Sequence, residues 1–317
     1  MSGPTLPDAW RTRPFTVGEL RDAGLPLSRL RNPALHLPTR SVRSTEPVET
    51  LLERAAAFAS ALPDDIAFSH ATAALLHGIP MPERFEKSTV LDVMRASRRT
   101  PIRRKLCAGH RGLESRAVVE ICGLRAVGAL DTWCDLGDLV ARGLTVEDLV
   151  VAGDHLVNRL GLPGPALAEA LSRRCRPRGA ARLEEAAALV RPGVRSPMES
   201  RSRMMFVRAG FPEPEVNAAV FDAHGGWLLE GDLVWRKQRV IGEYQGADHA
   251  SIKRRSADSS RAWGAQAEGY RVLEIYSEDV YRGARRRACL TRFALAIGLD
   301  PAGLRISGGH GRGPATR

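Results

Sequence analysis

The sequence predicts an α+β protein of several domains, and three observations carry this. The chain has 317 residues, more than one ordinary hydrophobic core organises. Apolar residues make up 44% and charged residues 26%, a globular mix that excludes a largely disordered chain. Runs of helical period alternate with short runs of strand period, most regularly from residue 196 onward. No stretch approaches eighteen consecutive apolar residues, which argues against a membrane-spanning helix. The N-terminal MSGPTLPDAWRTRP lacks the apolar core of a secretory signal. Five Cys, at 107, 122, 134, 175 and 289, form no Cys-x-x-Cys pair. Neither a disulfide framework nor a zinc ribbon follows, and a cytoplasmic location is expected.

The elements read in order as follows. Residues 1–14 are polar and Pro-rich and expected to be loose. Residues 15–31 read as helix, turn, helix: Thr16-Val17-Gly18-Glu19 opens like a capping box, Gly24 and Pro26 punctuate, and Leu27-Ser28-Arg29-Leu30 resumes. An extended run Ala34–Pro38 follows, with Arg40 and Arg43 beyond it. Residues 1–48 therefore fit a small winged helix-turn-helix, with Arg29, Arg31 and Arg40 as candidate DNA contacts; the pattern equally fits a plain helical hairpin. Residues 48–61 form an amphipathic helix, and 64–79 hold His70 and His77. A His pair seven apart can share a helix face and a metal, but no third ligand is evident and ordinary polar contacts are expected. Residues 86–126 alternate short strands with basic turns. Residues 127–160 are helical, with Asp131, Asp135, Asp138 and Asp154 read as caps on a solvated face. The stretch SRRCRPRGAAR, with five Arg in eleven residues, reads as a basic linker closing a mixed central domain of residues 49–190.

Charge points to a partner class. The net charge is +11, and residues 191–317 carry +7 of it. Only four of the 47 basic residues are Lys. Arg favours phosphate because its planar fork donates two hydrogen bonds, so a polyanion partner is expected. The Arg-for-Lys bias alone also fits a GC-rich genome.

Residues 191–299 are the most informative. Ser196-Pro197-Met198-Glu199 starts a helix that Gly210 stops. Three strand-like runs follow, Val216–Phe221, Trp227–Trp235 and Val240–Gln245, the first two joined by a hairpin signal, Ala223-His224-Gly225-Gly226. A helix over 250–268, a strand over 270–276 and a helix over 277–298 complete the series α-β-β-β-α-β-α. A basic tail from residue 300 is expected to be disordered. If Arg236–Arg239 closes the turn symmetrically, Asp232 sits opposite Glu243, with Cβ atoms within about 5 Å. Two carboxylates that close repel unless a cation lies between them. With the Tyr244 carbonyl they form a plausible oxygen site for Mg²⁺ or Mn²⁺, which can activate water and neutralise a phosphate under attack. Asp232 as a bulge acid facing solvent, Glu243 paired with Arg239 or Lys237, and Glu199 as a helix cap are the structural alternatives.

The order α-β-β-β-α-β, with Glu on the first helix, Asp on the second strand and Glu-x-Gln on the third, resembles the PD-(D/E)XK nuclease superfamily. The run GDLVWRKQRVIGEYQGADH, with Asp258, Arg261 and GYRVLEIYSEDV beyond it, is similar to bacterial domains grouped with very-short-patch-repair endonucleases. The resemblance implies a restriction-endonuclease-like domain and hydrolysis of DNA phosphodiesters. It makes Asp232 and Glu243 metal ligands and gives Glu199 a water-orienting or outer contact. Gln245 stands where the motif Lys often stands and brings a neutral amide in place of a charge. His249 would act on water or the leaving group, and Lys253, Arg254 and Arg255 would hold the backbone phosphates. Upstream, FSHATAALLHGIPMP, ALDTWCDLG and VVAGDHLVNR resemble AbiEi-type antitoxin proteins. That implies DNA binding and a toxin or defence-system partner, and a regulatory protein with a degenerate nuclease fold is the alternative reading.

Overall fold

The computed structural model describes residues 6–246 and 264–306. The chain is mixed α+β, and its described part contains three sheets. It divides into two compact units, Met1–Leu144 with Ala170–Ala180, and Thr145–Glu169 with Ala181–Arg317. These divisions differ from breaks after residues 48 and 190. No helix among the described residues is long and apolar enough to cross a membrane.

The first unit opens with β1 (Phe15–Thr16) and α1 (Val17–Asp22). The capping box forms as its residues dictate: the Glu19 N–H donates to Thr16 Oγ1 and the Thr16 N–H to Glu19 Oε2. The expected second helix is a single 3₁₀ turn, Leu27–Arg31. The chain then doubles back through a bridge between His36 and Ser44, and β2 (Val42–Arg43) pairs antiparallel with β1. Trp10 stacks on Phe15 at 4.5 Å over buried Leu20. Five residues of 3₁₀ turn are too short for a recognition helix, so this segment has one α-helix and a two-stranded sheet in place of the expected helix pair.

Next come α2 (Leu51–Ala59), β3 (Ala67–Phe68), α3 (His70–Leu76), α4 (Glu83–Glu86), β4 (Leu91–Arg95), β5 (Cys107–Arg111), β6 (Val118–Ile121), β7 (Leu124–Val127) and α5 (Ala129–Asp135). The five strands form one sheet of order β5-β4-β3-β7-β6. Its centre is buried, with Leu91, Val93 and Met94 of β4 and Phe68 of β3 almost wholly enclosed. In β5 a Cβ on Gly109 would lie 2.4 Å from the Ile102 carbonyl oxygen. Backbone cannot yield as a side chain can, so Gly109→Ala is expected to cost about 1–3 kcal/mol. A denaturant midpoint that does not move would show the sheet edge can shift instead.

The four acids expected on a solvated face are drawn inward. Asp135 is buried and accepts from Arg116 at 2.7 Å and Arg174 at 3.4 Å. Asp131, half-buried, accepts from the Ala117 N–H at 2.6 Å. Asp154 is fully buried. Helical period shows which residues share a face; it does not show that a distant Arg or N–H arrives to satisfy them.

The second unit begins with α6 (Val146–Arg159), capped by Thr145 and Asp148. After α7 (Ala166–Ser172) and α8 (Ala180–Leu189) comes α9 (Pro197–Ala209), then β8 (Glu215–Phe221), β9 (Trp227–Trp235), β10 (Val240–Gln245) and β11 (Arg271–Tyr276). The sheet order is β11-β10-β9-β8, antiparallel except for the parallel pair β10–β11. The expected terminal helix is two helices, α10 (Ser277–Tyr281) and α11 (Gly283–Ile297), separated at Arg282, whose backbone is extended. Of the helix expected over 250–268, residues 264–267 are helical and the rest lie outside the described residues. Residues 300–306, expected in the disordered tail, are ordered: Asp300 caps a 3₁₀ turn, and Leu304 and Ile306 pack on the core. Two apolar side chains in a basic stretch suffice to dock it.

Helix α6 belongs with this unit because Asp154 meets Arg203 of α9 at 3.0 Å, both side chains almost wholly buried. Asp154 also accepts from Ser200 Oγ at 2.8 Å and the Arg191 N–H at 2.7 Å.

Candidate active site

Strands β9 and β10 pair Trp235 with Val240, Val234 with Ile241 and Leu233 with Gly242. Partner numbers sum to 475, the register that a symmetric turn implies, and the ladder then stops. Strands β8 and β9 pair Val216 with Leu233 and Ala218 with Gly231, and skip the intervening pair, Asn217 and Asp232.

The two cores show what happens at the skipped pair. Leu233, Trp235 and Val216 pack on the core beneath α9, whereas Leu229, Val234, Ala218 and Val220 pack on the core of the opposite face. Leu229 and Val234 are five residues apart, and strict alternation would set them on opposite faces. Strand β9 therefore changes face between Leu229 and Leu233, and β8 does so between Val216 and Ala218. Asn217 makes the turn with φ 45°, a region that Asn tolerates better than most residues. A Cβ on Gly231 would lie 2.7 Å from Ile241 Cγ2 and 2.9 Å from Val234 Cγ2, so this crossover accepts only glycine without rearrangement.

The crossover decides where the acids go. Asp232 Oδ2 accepts from the Tyr244 N–H at 2.8 Å, so its carboxylate lies between β9 and β10 where the ladder stops. Asn217 Nδ2 donates to Glu199 Oε2 at 2.6 Å and to the Gly193 carbonyl at 2.8 Å. Glu199 is buried on the first turn of α9; Ser196 Oγ accepts from its N–H at 3.2 Å, and its Oε2 accepts from the Arg195 N–H at 2.9 Å. Glu199 is thus part of a helix cap and is also tied to Asn217 at the face change. Glu243, half-buried, puts Oε1 3.5 Å from the point where a Cβ of Gly231 would stand. Burial pushes the Asp232 carboxyl above its ordinary range, and the charges of Glu199 and Glu230 push it further; the Tyr244 N–H and Arg195 only partly oppose them. Arg195 is itself paired with Glu230.

Gln245 is exposed at the end of β10, in register with Tyr276. His249, Lys253, Arg254 and Arg255 lie outside the described residues. Arg31 and Arg40 are exposed and Arg29 is half-buried. Glu199, Asp232 and Glu243 do not form a set whose ligand atoms all lie within 4.8 Å of one another; among the described residues, His70, His110 and Asp138 do. Sequence reasoning singled out neither Asn217 nor His110. An Asn inside an otherwise apolar strand was the available sign of the first; the second had none.

The chain is 31% identical over 94 residues to the uncharacterized proteins MT2308 and Rv2248 of Mycobacterium tuberculosis, from two strains. The match covers 29% of this chain and 34% of each relative, so the chain spans about a third of the length of the curated relatives it matches. No family model and no solved structure matches the chain.

Proposed function

We propose that the second unit is a restriction-endonuclease-like, metal-dependent phosphodiesterase acting on duplex DNA in the cytoplasm. One observation carries this reading. A half-buried carboxylate, Asp232, is set where two strands change face, near the acids Glu199 and Glu230, with its proton affinity raised. A site that gathers like charge in a half-buried place suits a hard divalent cation. Asp232 and Glu243 would hold Mg²⁺ or Mn²⁺, which supplies charge for an attacked phosphate and a more acidic water. Asn217 fixes the Glu199 carboxylate, leaving it poised to orient water. The Tyr244 N–H fixes Asp232 in the single orientation that a ligand needs.

The test is nicking of supercoiled plasmid by the purified chain with Mg²⁺ or Mn²⁺. Cleavage that a chelator abolishes supports the reading. Duplex binding without cleavage favours the second reading, an antitoxin-like or regulatory DNA-binding protein with a toxin or defence-system partner. The exposed neutral Gln245 is the observation that favours it.

Both readings take duplex DNA as the partner, with the exposed Arg31 and Arg40 among the contacts. Replacing both by Ala is expected to weaken duplex binding at low salt. It should also flatten the salt dependence by roughly one unit of slope per lost phosphate contact. Unchanged slope would remove the N-terminal segment from the interface.

A further inference from the structure

The first unit holds a second cluster that the phosphodiesterase reading does not use. His70, at the start of α3, is 2% exposed and has φ 48°. A non-glycine residue in that region costs on the order of 1 kcal/mol or more, and such strain concentrates where a side chain is being aimed. Its ring is stacked on that of His110, from β5, with centroids 3.6 Å apart and planes at 22°. Asp138, beyond α5, puts Oδ2 3.5 Å from His70 Nε2. A ring nitrogen of each His and a carboxylate oxygen of Asp138 all lie within 4.8 Å of one another.

Each ring has a partner for its other nitrogen. His70 Nδ1 meets Ser69 Oγ at 3.0 Å, and His110 Nε2 meets Asp92 Oδ1 at 3.0 Å. Asp92 is 2% exposed, and its N–H donates to Thr72 Oγ1 at 2.8 Å. With Nδ1 of His70 and Nε2 of His110 as donors, Nε2 of His70 and Nδ1 of His110 keep their lone pairs. This is how metal-binding imidazoles are oriented, by a hydroxyl or carboxylate on the far nitrogen.

The spacing suits coordination as well as a long hydrogen bond. An N–H···O bond is about 2.7–3.2 Å long. Two ligands each about 2.0–2.1 Å from one tetrahedral ion stand about 3.3–3.4 Å apart. The His70–Asp138 separation of 3.5 Å falls near the second value. Binding requires the two ring planes to open, a rotation about Cβ–Cγ whose torsion is broad for imidazole. The competing cation at Asp138 is Arg178, 3.5 Å away with a side chain 82% exposed, free to swing into water.

We propose that His70, His110 and Asp138 form a binding site for a divalent transition-metal ion of the Zn²⁺ class. Two imidazoles and one carboxylate select such an ion over Mg²⁺, which prefers oxygen ligands and keeps its waters. Three protein ligands leave a fourth position open. Arg142, 3.6 Å from Asp92 Oδ1, and Arg178 stand near enough to favour an anionic oxygen there.

The test is calorimetric titration of the chelator-treated full-length chain with Zn²⁺, alongside its Co²⁺ absorption spectrum. One equivalent is expected to bind. The Co²⁺ form should show weak ligand-field bands without the intense near-ultraviolet band of thiolate ligation, which excludes the five cysteines. Asp138→Asn and His110→Gln are each expected to weaken Zn²⁺ binding at least about tenfold, and Asp92→Asn, behind His110, by about ten- to a hundredfold. Circular dichroism of each variant shows whether it is folded; Asp138→Asn, a change of charge at constant shape on a half-buried residue, is the variant expected to fold in every case. Glu185→Gln, at an exposed acid of the other unit, should leave Zn²⁺ binding unchanged. Failure of the folded wild-type chain to bind Zn²⁺ would overturn the proposal. So would binding that survives Asp138→Asn and His110→Gln, a thiolate band, or binding lost in Glu185→Gln.

Discussion

Asp232→Asn is expected to lower metal-dependent cleavage about a hundred- to a thousandfold while leaving the chain folded. An ion held by a carboxylate supplies several kcal/mol of charge stabilisation, and about 1.4 kcal/mol corresponds to tenfold in rate. Asn keeps an oxygen for the Tyr244 N–H that now meets Asp232 Oδ2 at 2.8 Å, so the strand junction survives. Stability should respond in the opposite sense to activity. Burial, with Glu199 and Glu230 beside it, raises the Asp232 pKa above its unfolded value, which is about 3.9. The folded state therefore holds that proton more tightly. The contribution to stability is complete below about pH 3.9 and is lost as pH rises through the folded pKa. At neutral pH in chelator, the ionised carboxylate costs stability and the amide does not. Asp232→Asn should then be as stable as the wild type or more so, and its advantage should vanish in acid. A variant that cleaves normally, or that is destabilised at pH 7, would remove Asp232 from the site.

Arg203→Ala should have the largest effect on stability. The Arg203 side chain is 0% exposed and its Nη2 lies 3.0 Å from Asp154 Oδ2. It also donates to the Leu189 carbonyl at 2.8 Å and to Glu213 Oε1 at 3.0 Å. Removing it leaves a buried carboxylate with only Ser200 Oγ and the Arg191 N–H as donors. Breaking one side of such a pair costs about 3–5 kcal/mol, because the remaining charge has lost its partner but not its burial. Thermal unfolding of the second unit should fall by roughly 6–20 °C. Arg203→Met with Asp154→Leu should recover much of the loss, since removing both charges also removes the desolvation cost. A loss below about 1 kcal/mol in Arg203→Ala would mean that water reaches Asp154.

Parts of this architecture were legible early for physical reasons. The capping box at Thr16 and the N-cap at Ser196 are local: the donor and acceptor lie within four residues, so spacing alone predicts them. The β9–β10 register was equally legible, because a short turn ties partner positions together and leaves one free number. The face change at Asn217 and Asp232 was not. It breaks the alternation that sequence reading depends on, and its cause is a backbone angle at one residue of a neighbouring strand. His110 was hidden in another way, in a basic turn-rich stretch with no apolar period to mark it as facing a core.

By itself, then, the sequence determined the α+β class, the helix from Ser196 and the three strands after it, the caps, and a β9–β10 register whose ladder stops one pair short of Asp232 and Glu243. Those are short-range properties, set by periodicity and by residues a few positions apart. Only the tertiary structure decided that Asp154 of α6 is neutralised by Arg203, that Asp135 is neutralised by Arg116, and that His70, His110 and Asp138 meet. Each joins residues between 19 and 68 positions apart. Buried charge must find a partner wherever the packed chain supplies one, and no local pattern records which partner that is.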